Sequence, residues 1–110
     1  MPWYYYVAYF FGGALLINAV PHFVNGVSGQ PFPTPFASPP GRGKSSPTVN
    51  VLWGVLNGAV GYFLVAHLGE FHIRDFVDVV VAGTGGLVMA LMLARAFGSL
   101  ASDEEATRGS

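Results

Sequence analysis

The chain has 110 residues, 52% of them hydrophobic and 10% charged, against about 25% charged in an ordinary soluble domain. This composition argues against a soluble globular protein, and an aromatic share of 15% argues against disorder. Five Lys and Arg oppose six Asp and Glu, which leaves no basic field for nucleic acid, and the absence of cysteine removes disulfides, thiolate metal sites and thiol nucleophiles.

No Asp, Glu, Lys or Arg occurs in residues 1–41, 45–69 or 79–94. A bilayer-crossing helix needs about 20 mostly apolar residues at about 1.5 Å rise each. The expected fold is therefore all-α and integral to a membrane. Residues 1–97 form one domain of three transmembrane helices, with spans near 3–24, 48–69 and 76–97, a loop over 25–47 and a polar mobile tail over 98–110.

The first span opens on Trp3 and Tyr4 to Tyr6 without a basic amino-terminal region or a small-residue cleavage site, so it reads as a retained helix and not a signal peptide. Along it Asn18, His22 and Asn25 recur at intervals of four and three, forming a polar stripe interrupted by Pro21. Proline lacks the amide hydrogen that the Ile17 carbonyl would accept. Two readings of the stripe follow: interhelical hydrogen bonding with Asn25 ending the helix, or a ligand- or proton-handling site.

The connection to the second span is rich in proline. Pro31, Pro33, Pro35, Pro39 and Pro40 keep it extended, and Phe32 and Phe36 are expected to enter the membrane interface or a groove on another subunit. Gly43, Lys44 and Ser45 echo the end of a phosphate-binding loop, but Ser38 stands where its first glycine belongs and no strand precedes it. Nucleotide binding is therefore not expected. Arg42, Lys44, Ser45 and Ser46 precede a helix N-terminus, where they would either hold the loop inside by charge or receive an anionic lipid headgroup or acidic partner.

Ser46 followed by Pro47 suits an N-cap and first-turn proline for the second helix. Asn50, Gly54, Asn57, Gly58 and Gly61 share one face, with Gly54 and Gly58 in GxxxG spacing. The third span carries a comparable seam through Ala82, Gly83, Gly86, Ala90 and Ala94. These two helices are expected to pack on each other, or one of them on a partner. Asp75 and Asp78 suit the start of the third helix, where the dipole favours negative charge; Asp78, a polar intramembrane candidate with Asn18, His22 and Asn25, is expected to meet water there, the alternative being a carboxylate below the headgroups that faces a proton-handling cavity. Trp3, Tyr4 to Tyr6, Phe71 and Phe76 near one interface and Trp53 towards the other resemble aromatic belts.

Three crossings place Arg42, Lys44, Arg95 and Arg108 on one side and Arg74 on the other. The positive-inside rule then puts the amino terminus outside and the proline-rich loop and carboxyl terminus in the cytoplasm. His22 lies far from His67 and His72, which removes a haem bridged by the two sets, and His67, Glu70 and His72 lack a recognised metal spacing. No catalytic motif survives, so no enzyme activity, cofactor or metal is expected. The expected role is an accessory or stabilising subunit of a larger complex in a bacterial inner membrane, in contact with lipids and with other membrane subunits or copies of itself. The alternative is a homo-oligomeric channel or transporter for protons or small solutes, lined by Asn18, His22, Asn50 and Asn57.

Overall fold

The structure, a computed structural model, describes residues 2–109, with the side chain of Arg108 outside that description. It is mostly helical: α1 (Trp3–Val27), the short strands β1 (Phe32–Pro33) and β2 (Lys44–Ser45), α2 (Pro47–Tyr62) with a π-helical turn (Phe63–His67), and α3 (Phe76–Gly109). Among the described residues, three helices are long and apolar enough to cross a membrane: α1, α2 with its π turn, and α3. They form an elongated bundle of 56 × 24 × 21 Å. Its loop end carries β1 and β2, and its turn end carries the α2–α3 connection.

The second and third helices do not form the main packing pair. Instead α1 packs on both of them. The cause is glycine on α1 itself, because Gly12, Gly13 and Gly26 are buried. A Cβ at Gly61 of α2 would stand 2.9 Å from the Gly12 carbonyl oxygen, and one at Gly54 would stand 2.8 Å from the Phe23 amide nitrogen. On the other flank, Gly13 lies against the carbonyl of Ala82 and Gly85 against that of Phe10, with no room for a Cβ at either. With small residues on both flanks, α1 brings two backbones close at once, which is how helices associate where no hydrophobic force separates them from lipid.

Ser46 caps α2 by accepting the Val49 amide hydrogen at 3.2 Å, with Pro47 in the first turn. Near the turn end, the Leu68 amide bonds the Phe63 carbonyl at 3.0 Å, five residues back. This wider turn aligns residues five apart, and His67 Nε2 lies 3.3 Å from Tyr62 Oη.

Residues 98–109 are not a separate tail. They continue α3, whose 34 residues span roughly 51 Å at 1.5 Å per residue, well beyond a hydrocarbon core about 30 Å thick. The extension reaches the loop: Arg42 pairs with Asp103 at 3.1 Å and Lys44 with Glu104 at 3.2 Å.

The loop itself is folded. Phe32 pairs with Ser45 and Pro33 with Lys44 in an antiparallel ladder. Thr34 organises the segment between the strands. Its carbonyl accepts the amides of Ala37 and Gly41, its hydroxyl accepts the Phe36 amide, and the same hydroxyl meets Ser45 Oγ. Gly41 has φ of 73°, a left-handed conformation that side chains disfavour. Proline suits this flap because it presents fewer amides that need partners.

Candidate functional site

The polar groups of α1 and α2 meet near the loop end in two ordered hydrogen-bond chains. The first begins at the Trp53 carbonyl, which accepts from Asn57 Nδ2 at 2.8 Å, and Asn57 Oδ1 then accepts from Asn18 Nδ2 at 3.0 Å. The second begins at three carbonyls, those of Phe32, Ser45 and Ser46, which surround Asn50 Nδ2 at 3.0 to 3.2 Å. Asn50 Oδ1 faces His22 Nδ1 at 2.9 Å. Asn50 is fully buried, and His22 and Asn57 are 3% and 4% exposed, so each amide dipole is set by neighbours and not by water.

Asn50 therefore ties three elements together: α1 through His22, β1 through Phe32, and the entry to α2 through Ser45 and Ser46. Asn25, the third member of the stripe, bonds within its own helix, donating to the Pro21 carbonyl at 2.7 Å. It does not join the cluster.

Aromatic rings enclose this polar centre. The His22 ring meets Phe32 edge-on at 5.5 Å and Trp53 at 6.4 Å, and Phe32 packs on Phe97 of α3 at 4.6 Å. Phe36 stands edge-on to Trp53 at 4.9 Å. The expectation that Phe32 and Phe36 reach into lipid or another subunit is thus corrected in part. Phe32 turns inward to cover His22, because the ladder to Ser45 fixes its direction, whereas Phe36 remains 66% exposed while touching Trp53. Beneath the flap lies a cavity of about 230 Å³ bounded by α1, α2, α3 and the loop, with Asn18, His22, Trp53 and Phe97 among its walls.

The remaining candidates are distributed over the bundle. Gly54 and Gly61 lie against α1, while Gly58 is looser, since a Cβ there would be 3.9 Å from Ala19 Cβ. Gly86 lies against Ile17, and half-buried Ala90 borders an apolar groove of about 400 Å³ between α1 and α3. Gly83 borders the same groove, but a Cβ there would meet nothing within 4 Å. Arg42 and Lys44 are exposed and paired with acidic residues of α3, and Ser45 pairs with Thr34.

Asp78 departs from the expectation that it meets water. Its side chain is fully buried at the turn end, where Oδ2 accepts the His72 amide at 3.0 Å and Oδ1 has no hydrogen-bond partner. Phe71 packs edge-on against buried Tyr9 at 5.2 Å, so the α2–α3 connection folds over this end of α1. Among the described residues no group of three His, Asp or Glu is placed to hold a metal ion.

Thr34, Phe97, Gly13 and Gly85 were not singled out from sequence as site or packing residues. The Gly12–Gly13 and Gly85–Gly86 doublets carried a readable signal for close helix crossings, whereas Thr34 and Phe97 acquire their roles only through contacts distant in sequence. Comparisons with protein-family models, with curated proteins and with solved structures find no match to this chain.

Proposed function

We propose that the chain is a small non-catalytic integral membrane protein that serves as an accessory or stabilising subunit of a larger membrane complex. The observation that carries this reading is the groove between α1 and α3. After the bundle's own crossings are made, Gly83 still presents backbone to open space beside Gly86 and Ala90, and small residues at such a face admit a neighbouring helix closely. The buried amides, by contrast, are engaged in bracing α1 against α2.

The same bracing disfavours the channel alternative. Asn57 donates to the Trp53 carbonyl and accepts from Asn18, so a conducting path along these residues would have to break that chain. Lipid docking at Arg42 and Lys44 would likewise have to compete with Asp103 and Glu104.

The orientation proposed has the amino-terminal end of α1 outside and the loop end in the cytoplasm of a bacterial inner membrane. Arg42, Lys44 and Arg95 support it, set against Arg74 at the turn end. Gentle solubilisation followed by native mass spectrometry tests the role. Co-purified unlike subunits support it, and a chain recovered only as a monomer or as a ring of identical copies overturns it.

A further inference from the structure

The two hydrogen-bond chains near the loop end finish in the same way. Asn50 Nδ2 faces three carbonyl oxygens, which fixes that end of the amide as the donor and the opposite end as oxygen. Asn50 Oδ1 can only accept, so His22 Nδ1 carries the hydrogen of their 2.9 Å bond. In the neutral imidazole this leaves Nε2 with a lone pair, and among the described residues Nε2 has no hydrogen-bond partner.

Asn57 donates to the Trp53 carbonyl, its oxygen accepts from Asn18 Nδ2, and Asn18 Oδ1 is left as an acceptor without a partner among the described residues. Both residues line the cavity beneath the flap. They lie four residues apart on α1, about 6 Å along the axis, which is comparable to the separation of para substituents on a six-membered ring.

The other walls are mostly flat and apolar, with Trp53, Phe97, Pro33 and Pro35 beside the single hydroxyl residue Thr34, whose Oγ1 already meets Ser45 Oγ and the Phe36 amide. The volume is about 230 Å³, whereas an engineered apolar cavity of about 150 Å³ suffices to bind benzene. One substituted ring fits and a macrocycle does not. Two lining residues, each with its donor end spent on a fixed amide and an acceptor left over, call for an occupant that brings its own donors.

We infer that this cavity is a binding site for a single aromatic ring bearing hydroxyl donors, of the hydroquinone or phenol class, held by His22 Nε2 and Asn18 Oδ1. The site binds and orients; nothing in it requires a chemical step. The inference does not depend on the accessory-subunit reading, because it is tested on the isolated chain.

The experiment uses the full chain in nanodiscs under argon, with Trp3→Phe so that Trp53 is the sole tryptophan. Trp3 is 73% exposed, so this change leaves the packing intact. Methylhydroquinone is compared with 1,4-dimethoxy-2-methylbenzene, which has the same ring and no donor. The hydroquinone should quench Trp53 saturably and shift the His22 Nε2 resonance in ¹⁵N spectra, with the ether at least about tenfold weaker, because it brings no donor for either acceptor.

Asn18→Leu should weaken the hydroquinone towards the ether while the helical spectrum is kept. A decyl tail on the hydroquinone separates the source: tighter binding indicates a membrane-borne quinol and unchanged binding a water-soluble phenol, and the site stands in both cases. Equal affinity for hydroquinone and ether, quenching without a His22 shift, full hydroquinone affinity in Asn18→Leu, or no saturable binding of either probe overturns the inference. The last result would mean a cavity filled by water alone.

Discussion

Arg42 of the loop and Asp103 of α3 lie 61 positions apart in sequence and meet at 3.1 Å. With Lys44 and Glu104 at 3.2 Å, this pair holds the flap against the extended end of α3. Both pairs are exposed, and such pairs are worth about 0 to 1 kcal/mol each and weaken with salt. Arg42→Gln with Lys44→Gln should lower stability by no more than about 2 kcal/mol but raise proteolytic nicking within residues 34–44 severalfold. Charge reversal in Arg42→Glu with Asp103→Arg should restore protection. Conversely, Asp103→Asn with Glu104→Gln frees both cations and should increase anionic lipid retained in native mass spectra. Unaltered nicking in the double glutamine variant would show that the flap does not rely on this clamp.

The Asn18–Asn57 bond predicts a non-additive effect. Asn57→Leu leaves the Asn18 amide without its partner at 3.0 Å. The expected cost is about 1 to 2 kcal/mol, within the range for interhelical hydrogen bonds in membranes and for an unsatisfied buried amide. The double variant with Asn18→Leu should recover part of this loss, since both polar groups are then gone. Unfolding in mixed micelles of the two single variants and the double variant provides the measurement. Strict additivity would mean that the two side chains do not interact.

Much of this architecture was readable along the chain, and the parts that were not share a physical cause. Gaps between charged residues located the three apolar helices because insertion depends on local composition. The Ser46–Pro47 cap is likewise local. Asn18 and His22 stood out through their spacing on one helix face, although their partners Asn57 and Asn50 are 39 and 28 residues away. The central position of α1 was not apparent, since a glycine face on α2 or α3 does not specify which backbone it meets. Nor was the continuation of α3, because Asp103 and Glu104 read as solvated tail charges until the loop brings Arg42 and Lys44 to them. Thr34 resembled an ordinary polar loop residue, and its burial depends on the ladder between β1 and β2.

Glycine positions should separate sharply by what a side chain would meet. Gly13 lies against the Ala82 carbonyl with no space for a Cβ, so Gly13→Val must move α3 away from α1. Overpacking typically costs about 1 to 3 kcal/mol, and backbone contact places this variant at the upper end. At Gly83 a Cβ meets nothing within 4 Å, so Gly83→Ala should be neutral or stabilising by up to about 1 kcal/mol through helix propensity. In a native complex, however, Gly83→Leu should weaken subunit association if the α1–α3 groove receives a neighbouring helix. Comparing unfolding midpoints of the isolated variants with subunit retention in the complex separates the two effects.

Asp78 offers a test of whether its charge or its hydrogen bond matters. The buried carboxylate accepts the His72 amide through Oδ2 at 3.0 Å, while Oδ1 is buried without a partner. Asp78→Asn keeps an acceptor for His72 and removes the charge. It forgoes only the favourable placement of a negative group in the first turn of α3, worth about 0.3 to 1 kcal/mol. Asp78→Leu removes the acceptor and leaves the His72 amide unpaired, at about 1 to 3 kcal/mol. Stability should therefore fall in the order wild type, Asn, Leu, with the larger step at Leu, as followed by Trp fluorescence during thermal unfolding in detergent. If Asn proved as damaging as Leu, the negative charge itself would be required at the turn end, and the hydrogen bond to His72 would not account for the conformation of the α2–α3 connection.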